Sequence, residues 1–458
     1  MKSFPLTPDR FFLLAGLLFG ILLVFVTPPF QVPDEPAHFY RAWGVAEGKL
    51  VIARGQGGVG AELPASLPRL AWALTGDMPG HPEVKTSRRQ ILAWLGSPLD
   101  PAARIFVAFP NTALYTFVPY VPQAVAFGAG RALGAPPLVS FYGARLLNLL
   151  VSTLLIAFAI RQAPALRWLL ATVALTPMAT FQRASISADA VTIAVGFVLG
   201  AVAARLAWGD EPTAGERRRG FGTLILAAAV LCLCKPAYVP LVAVAFLIPA
   251  ARLPWGRRAP AFLLYAVLVG LAFAAGMANA RVGQTLVREG VGVDSQAQIR
   301  DSLAEPVRFL GIVARDYLVE HGGRYFAQMV GQLGWLDTKL PMAFLALYLG
   351  MIAAVGLADG GEVRVAAWQR GILLLAVAGA LVLLSASQYA LWTPYGADRV
   401  EGLQGRYFLP VAPVAAWLFL VPWRRSLALE GGLGWGLVGL TLVSVAVTLH
   451  ALMVRYYG

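Results

Sequence analysis

Long apolar stretches, separated by short polar segments, recur along almost the whole chain. Most approach the ~20 residues that an α-helix needs to cross the hydrocarbon core of a bilayer. The stretches lie near residues 11–26, 139–160, 166–181, 187–204, 221–234, 237–251, 261–280, 341–358, 371–391, 408–422 and 432–453. The pattern predicts an all-α polytopic membrane protein with about eleven transmembrane helices, forming one integral-membrane domain over residues 1–458.

The composition supports this prediction. Hydrophobic residues make up 58% of the chain and charged residues 13%, whereas a soluble globular chain has roughly 25% charged residues. The net charge of +13 would suggest nucleic-acid binding in a soluble protein. Here basic loops that orient the chain in the membrane explain it better, and no nucleic-acid-binding motif is present.

One further apolar segment, residues 112–133, decides the orientation. Pro119 and Pro122 lie in its middle, which is unfavourable for a straight helix. If the segment does not cross, five polar loops with thirteen Lys and Arg residues lie in the cytoplasm, as the positive-inside rule requires. We therefore predict an interfacial position for this segment, an inner N-terminus and an outer C-terminus. Two large loops, 29–138 and 281–340, then lie outside, and short interfacial helices are expected there.

The first outer loop opens with a group of ionisable residues. Asp34, His38 and Arg41 have the i, i+4, i+7 spacing that places side chains on one face of a helix. A carboxylate, an imidazole and a guanidinium together suggest an acid–base or anion-binding site. The alternative is structural, because Asp34 is also a good helix N-cap before Pro36.

Other charged residues lie at or near the outer ends of apolar stretches. Asp189, preceded by Arg183, is placed at the start of one span, and Arg145 lies about 9 Å inside another. An acid in a membrane segment usually has a partner or a function. Asp189 could instead cap its helix, and Arg145 needs an anionic or carbonyl partner.

Lys235 interrupts one continuous apolar stretch from Phe221 to Ala250. Thirty helical residues would be about 45 Å long, too long for a core of about 30 Å, and Pro236 favours a hairpin. We place Lys235 on the floor of an outward-facing cavity, with Tyr238 beside it as a further substrate-binding candidate. A lysine that reaches the interface for solvation is the alternative.

Two late outer segments add polar residues at the membrane boundary. The first contributes Asp337 and Lys339, which could also form a surface pair. The second contributes Gln404, Arg406 and Tyr407, just before a span. Arginine is suited to bidentate contact with phosphate, and interface anchoring is the alternative.

Several of these segments resemble a known family. The stretches are VPDEPAHFYRAWGVAEGKL, FPNTALYTFVPYVP, ARLLNLL, ISADAVTIA, CKPAYVP, GQLGWLDTKLP and GLQGRYFLP, spread over residues 32–410. Their order resembles the GT-C superfamily of membrane glycosyltransferases, and within it the bacterial membrane-protein family DUF2142. The PDE and GLQGRYFLP stretches are the specific ones.

The resemblance implies a sugar donor linked to a polyprenyl phosphate and used on the outer face of the bacterial cytoplasmic membrane. It implies catalytic or metal-binding acids at Asp34, with Glu35 beside it, and at Asp189. Three such acids would suit Mg²⁺ or Mn²⁺, although some relatives work without metal. From their chemistry, Arg183, Lys235 and Arg406 are candidates to hold the phosphate. The aromatic residues Tyr115, Phe117 and Tyr120 are candidates for a groove around the polyprenyl chain.

Two other functions stay open. The transferase would move the sugar to an envelope glycan, lipid or protein acceptor, whereas a glycan polymerase or ligase would join a preassembled lipid-linked oligosaccharide to its acceptor. A transporter or flippase for lipid-linked sugars would need ionisable residues near the middle of the membrane. The clustering of charged residues at outer ends favours an outward-facing enzyme.

Overall fold

The computed structural model describes residues 4–55, 58–283, 292–422 and 427–457. The helices of its first half are α1 (Pro8–Val26), α2 (Glu35–Ala46), α3 (Ser66–Thr75), α4 (Arg88–Leu92), α5 (Pro110–Ala113), α6 (Val121–Ala132), α7 (Pro137–Gln162), α8 (Arg167–Ala174), α9 (Pro177–Arg183), α10 (Ala188–Trp208) and α11 (Ala214–Cys234). Those of its second half are α12 (Arg258–Gly283), α13 (Ser295–Ala304), α14 (Pro306–Arg315), α15 (Gly322–Gly331), α16 (Met342–Ala358), α17 (Ala367–Trp392), α18 (Ala412–Leu418) and α19 (Leu427–Tyr456).

Six of the described helices are long and apolar enough to cross a membrane: α1, α7, α10, α12, α17 and α19. A membrane protein is therefore supported, whereas the predicted count of eleven spans is not reached by length and composition alone. Two predicted spans are broken. Residues 166–181 form α8 and α9, because Thr176 caps a new helix that starts at Pro177. The predicted span 408–422 begins at the last residue of a 3-10 turn, Gly405–Phe408, and its regular α-helix is only the short α18.

The hairpin predicted at Lys235 is present. Helix α11 ends at Cys234 and is followed by a 3-10 segment, Pro236–Leu247, which packs back against it. At the far end of the hairpin, Arg217 donates a hydrogen bond from Nη1 to the carbonyl of Ala251 at 2.7 Å. Pro236 and Pro240 have no backbone N–H, which explains why the returning arm is not a regular α-helix.

Side-chain contacts bring several helix ends together at one end of the bundle. Arg145, near the start of α7, donates to the carbonyls of Val24 and Thr27 where α1 ends. Asn148 donates to Ser185, just before α10. The opposite end is closed by Asp359, whose carboxylate accepts from two backbone N–H groups at the start of α8.

The segment between α1 and α7 folds over the first of these ends, and its buried apolar side chains form one cluster with those at the starts of α7 and α10. It contains the helices α2–α6 and an antiparallel sheet, β1 (Ala53–Gly55), β2 (Gly58–Pro64) and β3 (Arg104–Ala108). The prediction of a purely α-helical chain is therefore incomplete. Gly60 is required in this sheet, because a Cβ there would lie 1.9 Å from the Val107 carbonyl oxygen.

The segment 112–133 does not form a long helix. It contains the end of α5, a 3-10 turn at Val118–Tyr120, and α6, whose 12 residues extend about 18 Å. That length is too short to cross a core of about 30 Å. Of the second large loop, residues 284–291 lie outside the described part of the chain. The rest of that loop includes α13–α15, a π-helical turn at Asp316–Glu320, and the small strands β4 (Gln332–Leu333) and β5 (Thr338–Lys339).

Candidate functional site

Asp34 lies immediately before α2, but its side chain does not cap that helix. Its carboxylate accepts a hydrogen bond from Asn111 Nδ2 at 2.8 Å and pairs with Arg406 Nη2 at 3.1 Å. Its φ of 64° is in the left-handed region, which costs energy for a residue other than glycine and is often found at functional sites. The side chain is 35% exposed. The helix-cap alternative does not explain this arrangement.

Asp189 faces the same arginine from α10. The cap of α10 is Ser187, whose hydroxyl accepts from the Asp189 N–H at 3.1 Å. The Asp189 carboxylate lies 3.3 Å from Arg406 Nε and is 8% exposed. Two acids that are 155 positions apart in the sequence therefore share one guanidinium.

Arg406 lies between these carboxylates on the 3-10 turn 405–408 and is 3% exposed. The preceding Gly405 donates its N–H to Gln328 Oε1 at 2.9 Å. A Cβ at Gly405 would lie 2.2 Å from the Tyr325 carbonyl oxygen, so the close approach of α15 requires glycine there. Arg406 Nη1 has no hydrogen-bond partner among the described residues. The turn thus presents a buried cation with unused donor capacity.

Lys235 joins this group through Tyr407. Its Nζ lies 3.7 Å from the centroid of the Tyr407 ring, which is a cation–π contact. The Tyr238 hydroxyl donates to the Tyr407 carbonyl at 2.8 Å, so the hairpin and the 405–408 turn hold each other. Burial lowers the pKa of Lys235 to about 8, although Asp189 opposes the shift.

The charges around Asp34 decide its protonation state. Burial alone raises the pKa of its carboxyl, but Arg406 and His38, with the hydrogen bond from Asn111, outweigh burial and hold the pKa below its ordinary value. Asp34 is therefore ionised at neutral pH. Burial lowers the pKa of His38 to about 4 against the opposing charges of Asp34 and Asp189, so His38 is neutral there.

Two of the residues predicted beside Asp34 have different roles. His38 is buried, and its Nδ1 lies 2.7 Å from the Tyr120 hydroxyl. Arg41 donates to the backbone carbonyls of Lys49 and Leu50 at 3.0 and 2.9 Å. His38 therefore lies next to the site, as its spacing from Asp34 predicts. Arg41 instead holds the backbone that follows α2.

Glu35 is not brought to the candidate site. Its Oε1 and Oε2 lie 2.9 and 2.6 Å from Nε and Nη2 of Arg145, and both side chains are fully buried. The same carboxylate accepts the backbone N–H groups of Phe30 and Ile186, each at 2.9 Å. Glu35 and Arg145 therefore join α1, α7 and the start of α10, in place of the catalytic and substrate-binding roles predicted for them.

Arg183 is also directed into the protein interior. It donates to the Thr153 hydroxyl at 2.6 Å and to the Ala174 carbonyl at 3.1 Å, and it lies 5.1 Å from the Phe12 ring centroid. These contacts link α9 to α7, α8 and α1. A phosphate-binding role is not supported by them.

The remaining predicted residues divide in the same way. Asp337 pairs with Arg455 at 2.7 Å and so joins the second loop to the end of α19, while Lys339 is exposed on β5. Gln404 precedes the 405–408 turn, and its Oε1 is buried without a hydrogen-bond partner in the described part of the chain. Of the three aromatic residues predicted to form a groove for a lipid chain, Phe117 is exposed, Tyr115 is half-buried and Tyr120 is buried.

Sequence reasoning missed Asn111 and Gln328. Asn111 binds the Asp34 carboxylate, and Gln328 holds the turn that carries Arg406. Asn111 lies within the FPNTALYTFVPYVP stretch, which was the available signal. Gln328 is an ordinary polar residue on a loop helix, and nothing in its sequence context distinguishes it.

The arrangement does not fit the predicted divalent cation. Asp34 and Asp189 have a guanidinium between them, and Glu35 is engaged by Arg145. Within the described ranges, the His, Cys, Asp and Glu side chains close enough to share an ion are Asp316, Glu320 and His321. That group is already paired internally and with Tyr325 and Arg315. Arg406 supplies the positive charge between the two acids of the site.

Comparison with known proteins gives one positive result. No curated protein and no solved structure matches the chain. Residues 17–415 match the model of the family described as "Predicted membrane protein (DUF2142)", so the chain belongs to that family.

Proposed function

We propose that this protein is an outward-facing membrane glycosyltransferase of the GT-C type. It transfers a sugar from a polyprenyl-phosphate donor to an envelope glycan, lipid or protein acceptor at the outer face of the bacterial cytoplasmic membrane. In this proposal the shorter and broken helices also cross the membrane, which gives eleven spans. The supporting observation is the partly exposed carboxylate of Asp34, a residue with a strained backbone, beside two cations, the buried Arg406 and the half-buried Lys235.

The chemistry assigns a role to each charge. Asp34 takes the proton of the acceptor hydroxyl as the acceptor oxygen bonds to the anomeric carbon of the sugar. The bond between that carbon and the phosphate oxygen breaks, and its electron pair stays on the phosphate. Arg406 and Lys235 stabilise the phosphate charge that develops. Attack on the face opposite the phosphate inverts the anomeric centre.

Donor binding also makes Asp34 a better base. Without donor, Arg406 pairs with Asp34 and Asp189 and helps to lower the pKa of Asp34. A phosphate that accepts from Arg406 competes for the guanidinium and adds a nearby negative charge. Both effects raise the pKa of Asp34 towards the range in which a carboxylate accepts a proton readily. Asp189 keeps Arg406 in place while this exchange occurs.

The test is mass spectrometry of envelope glycans and lipid-linked sugars in a deletion strain. The strain is complemented with wild type, Asp34→Asn, or the matched control Asp77→Asn, an exposed acid of the same loop, at equal membrane levels. We expect the deletion to lose one sugar and to accumulate its lipid donor. Wild type and Asp77→Asn restore the pattern, and Asp34→Asn loses roughly 10²–10⁴-fold in transfer rate.

The outcome also separates the alternatives. Accumulation of a complete lipid-linked oligosaccharide in place of a single-sugar donor would assign the site to a polymerase or ligase. Accumulation of a lipid-linked substrate on the cytoplasmic side would assign the protein to transport. Full complementation by Asp34→Asn would refute the mechanism.

A further inference from the structure

An apolar cavity of about 670 Å³ lies beside the turn that carries Arg406. Its wall is formed by side chains of α8, α15, α16, α17 and α18, together with Tyr317 and Phe408. Phe408 is two residues after Arg406 on the same turn. Its ring packs against Tyr317 and Tyr325, at centroid distances of 5.8 and 5.5 Å. The charged site and the apolar cavity are thus adjacent through one short turn.

The cavity follows one face of α18. Ala412, Ala415 and Ala416 of α18 line it, together with Phe408 before that helix and Phe419 after it. On this face Ala412 and Ala415 are only half-buried, while Val414 and Trp417 on the other face are buried in the bundle. Small apolar residues of α18 therefore form part of the cavity wall.

The far end of the cavity is open. Leu357 and Phe419 line it and are 60% and 74% exposed, at the end of the bundle opposite to Arg406. In a membrane these side chains face lipid. A hydrocarbon chain that is too large for the cavity can continue from this opening into the bilayer.

We propose that this cavity holds the hydrocarbon chain of a single-chain lipid phosphate whose head lies at Arg406 and Lys235. An anionic head fits the two cations, and a hydrocarbon chain fits the cavity, since the described residues that line it include no charged side chain. The proposal rests on the proposed function for the identity of the head group as a sugar phosphate. It places the chain away from Tyr115, Phe117 and Tyr120.

The test uses a polyprenyl monophosphate that carries a photoreactive diazirine on its chain, with the purified full-length protein. Ala353 and Ala354 offer a matched pair on α16, because both are exposed and only Ala353 lines the cavity. We expect Ala353→Phe and Ala416→Phe to reduce photolabelling about tenfold, equivalent to about 1.4 kcal/mol. Ala354→Phe retains wild-type labelling, and the labelled peptides contain residues 408–419 or 352–357.

Competition identifies the occupant. Unlabelled polyprenyl phosphate displaces the probe, whereas a two-chain phosphatidylglycerol and a polyprenol without phosphate displace it weakly. Equal competition by phosphatidylglycerol, or full labelling of both cavity variants, would overturn the proposal. Failure of the transferase proposal looks different. In that case Asp34→Asn complements fully while the cavity variants still lose labelling.

Discussion

We predict that Glu35 stabilises the folded protein, although the neighbouring acid, Asp34, is proposed to be catalytic. Four donors are directed at its two carboxylate oxygens. Oε1 accepts from Arg145 Nε and the Ile186 N–H, and Oε2 accepts from Arg145 Nη2 and the Phe30 N–H. In Glu35→Gln only one oxygen remains, so two of the four donors face an amide NH₂ group. The charge of the fully buried Arg145 also loses its counter-ion.

Removing one partner of a buried ion pair costs about 3–5 kcal/mol. For a chain of 458 residues the melting temperature changes by about 1 °C per kcal/mol, so Glu35→Gln should lower the midpoint of thermal inactivation by about 3–5 °C. Asp34→Asn should change it little, because Asp34 is 35% exposed and Arg406 keeps Asp189. Replacing both partners, as in Glu35→Leu with Arg145→Met, should recover part of the loss, since no uncompensated charge then stays buried.

The assay is a heat challenge of the detergent-solubilised protein, followed by size-exclusion chromatography of the fraction that stays monodisperse. The midpoint is an operational measure, since unfolding of such a protein is irreversible. Glu62→Gln, an exposed acid of the same loop, is the control. If Glu35→Gln has the same midpoint as Glu62→Gln, the assignment of a structural role to Glu35 is wrong, and Glu35 is again a candidate catalytic acid.

Two further predictions concern the cations of the site. Because burial lowers the pKa of Lys235 to about 8, its positive charge is present below that pH and lost above it. Affinity for the polyprenyl phosphate probe should therefore fall as pH rises through about 8, and Lys235→Arg should remove this dependence; an identical pH profile in both proteins would contradict the assignment. Gly405→Ala should abolish complementation at equal membrane level, because its Cβ would lie 2.2 Å from the Tyr325 carbonyl oxygen and displace the turn that carries Arg406. Gly439→Ala, with no atom within 4 Å of the added Cβ, is its control and should complement fully.

The central part of the site could be predicted because its residues interrupt apolar stretches at the same end of the bundle. Asp189, Lys235 and Arg406 each stand at a boundary of an apolar segment, where a charge is costly unless it has a partner. The structure brings all three together. The hairpin at Lys235 could also be predicted, since the length of the stretch and its prolines exclude a single helix.

The same reasoning could not separate Asp34 from Glu35. Asp34 lies before α2 in a left-handed backbone conformation, whereas Glu35 is the first residue of that helix. One carboxylate therefore reaches Arg406 while the other reaches Arg145. The sheet of the first loop was also missed. Its strands are short, and Gly60 is needed there for a close backbone approach, which no polar–apolar alternation in the sequence indicates.

Charge in an apolar segment is therefore an incomplete criterion for function. Arg145, Arg183 and Arg406 are all nearly fully buried, and each would be a candidate by that criterion. They differ in whether their partners leave the guanidinium accessible to a ligand. The partners of Arg145 are a fully buried glutamate and three carbonyls. Arg183 Nε has no hydrogen-bond partner among the described residues, but the hydroxyls, the carbonyl and the Phe12 ring around this guanidinium belong to the bundle interior.

Arg406 has a partner of a different kind. Asp34 is partly exposed and held in a strained backbone conformation, and Arg406 Nη1 lacks a hydrogen-bond partner among the described residues. A ligand can reach the Asp34 carboxylate and replace it as the partner of the Arg406 guanidinium while the bundle stays folded. The contacts of Arg145 and Arg183 can open only if helices separate. Access to one member of a buried charge pair, rather than burial of the pair, is what distinguishes a site that can act on a substrate from one that holds the fold.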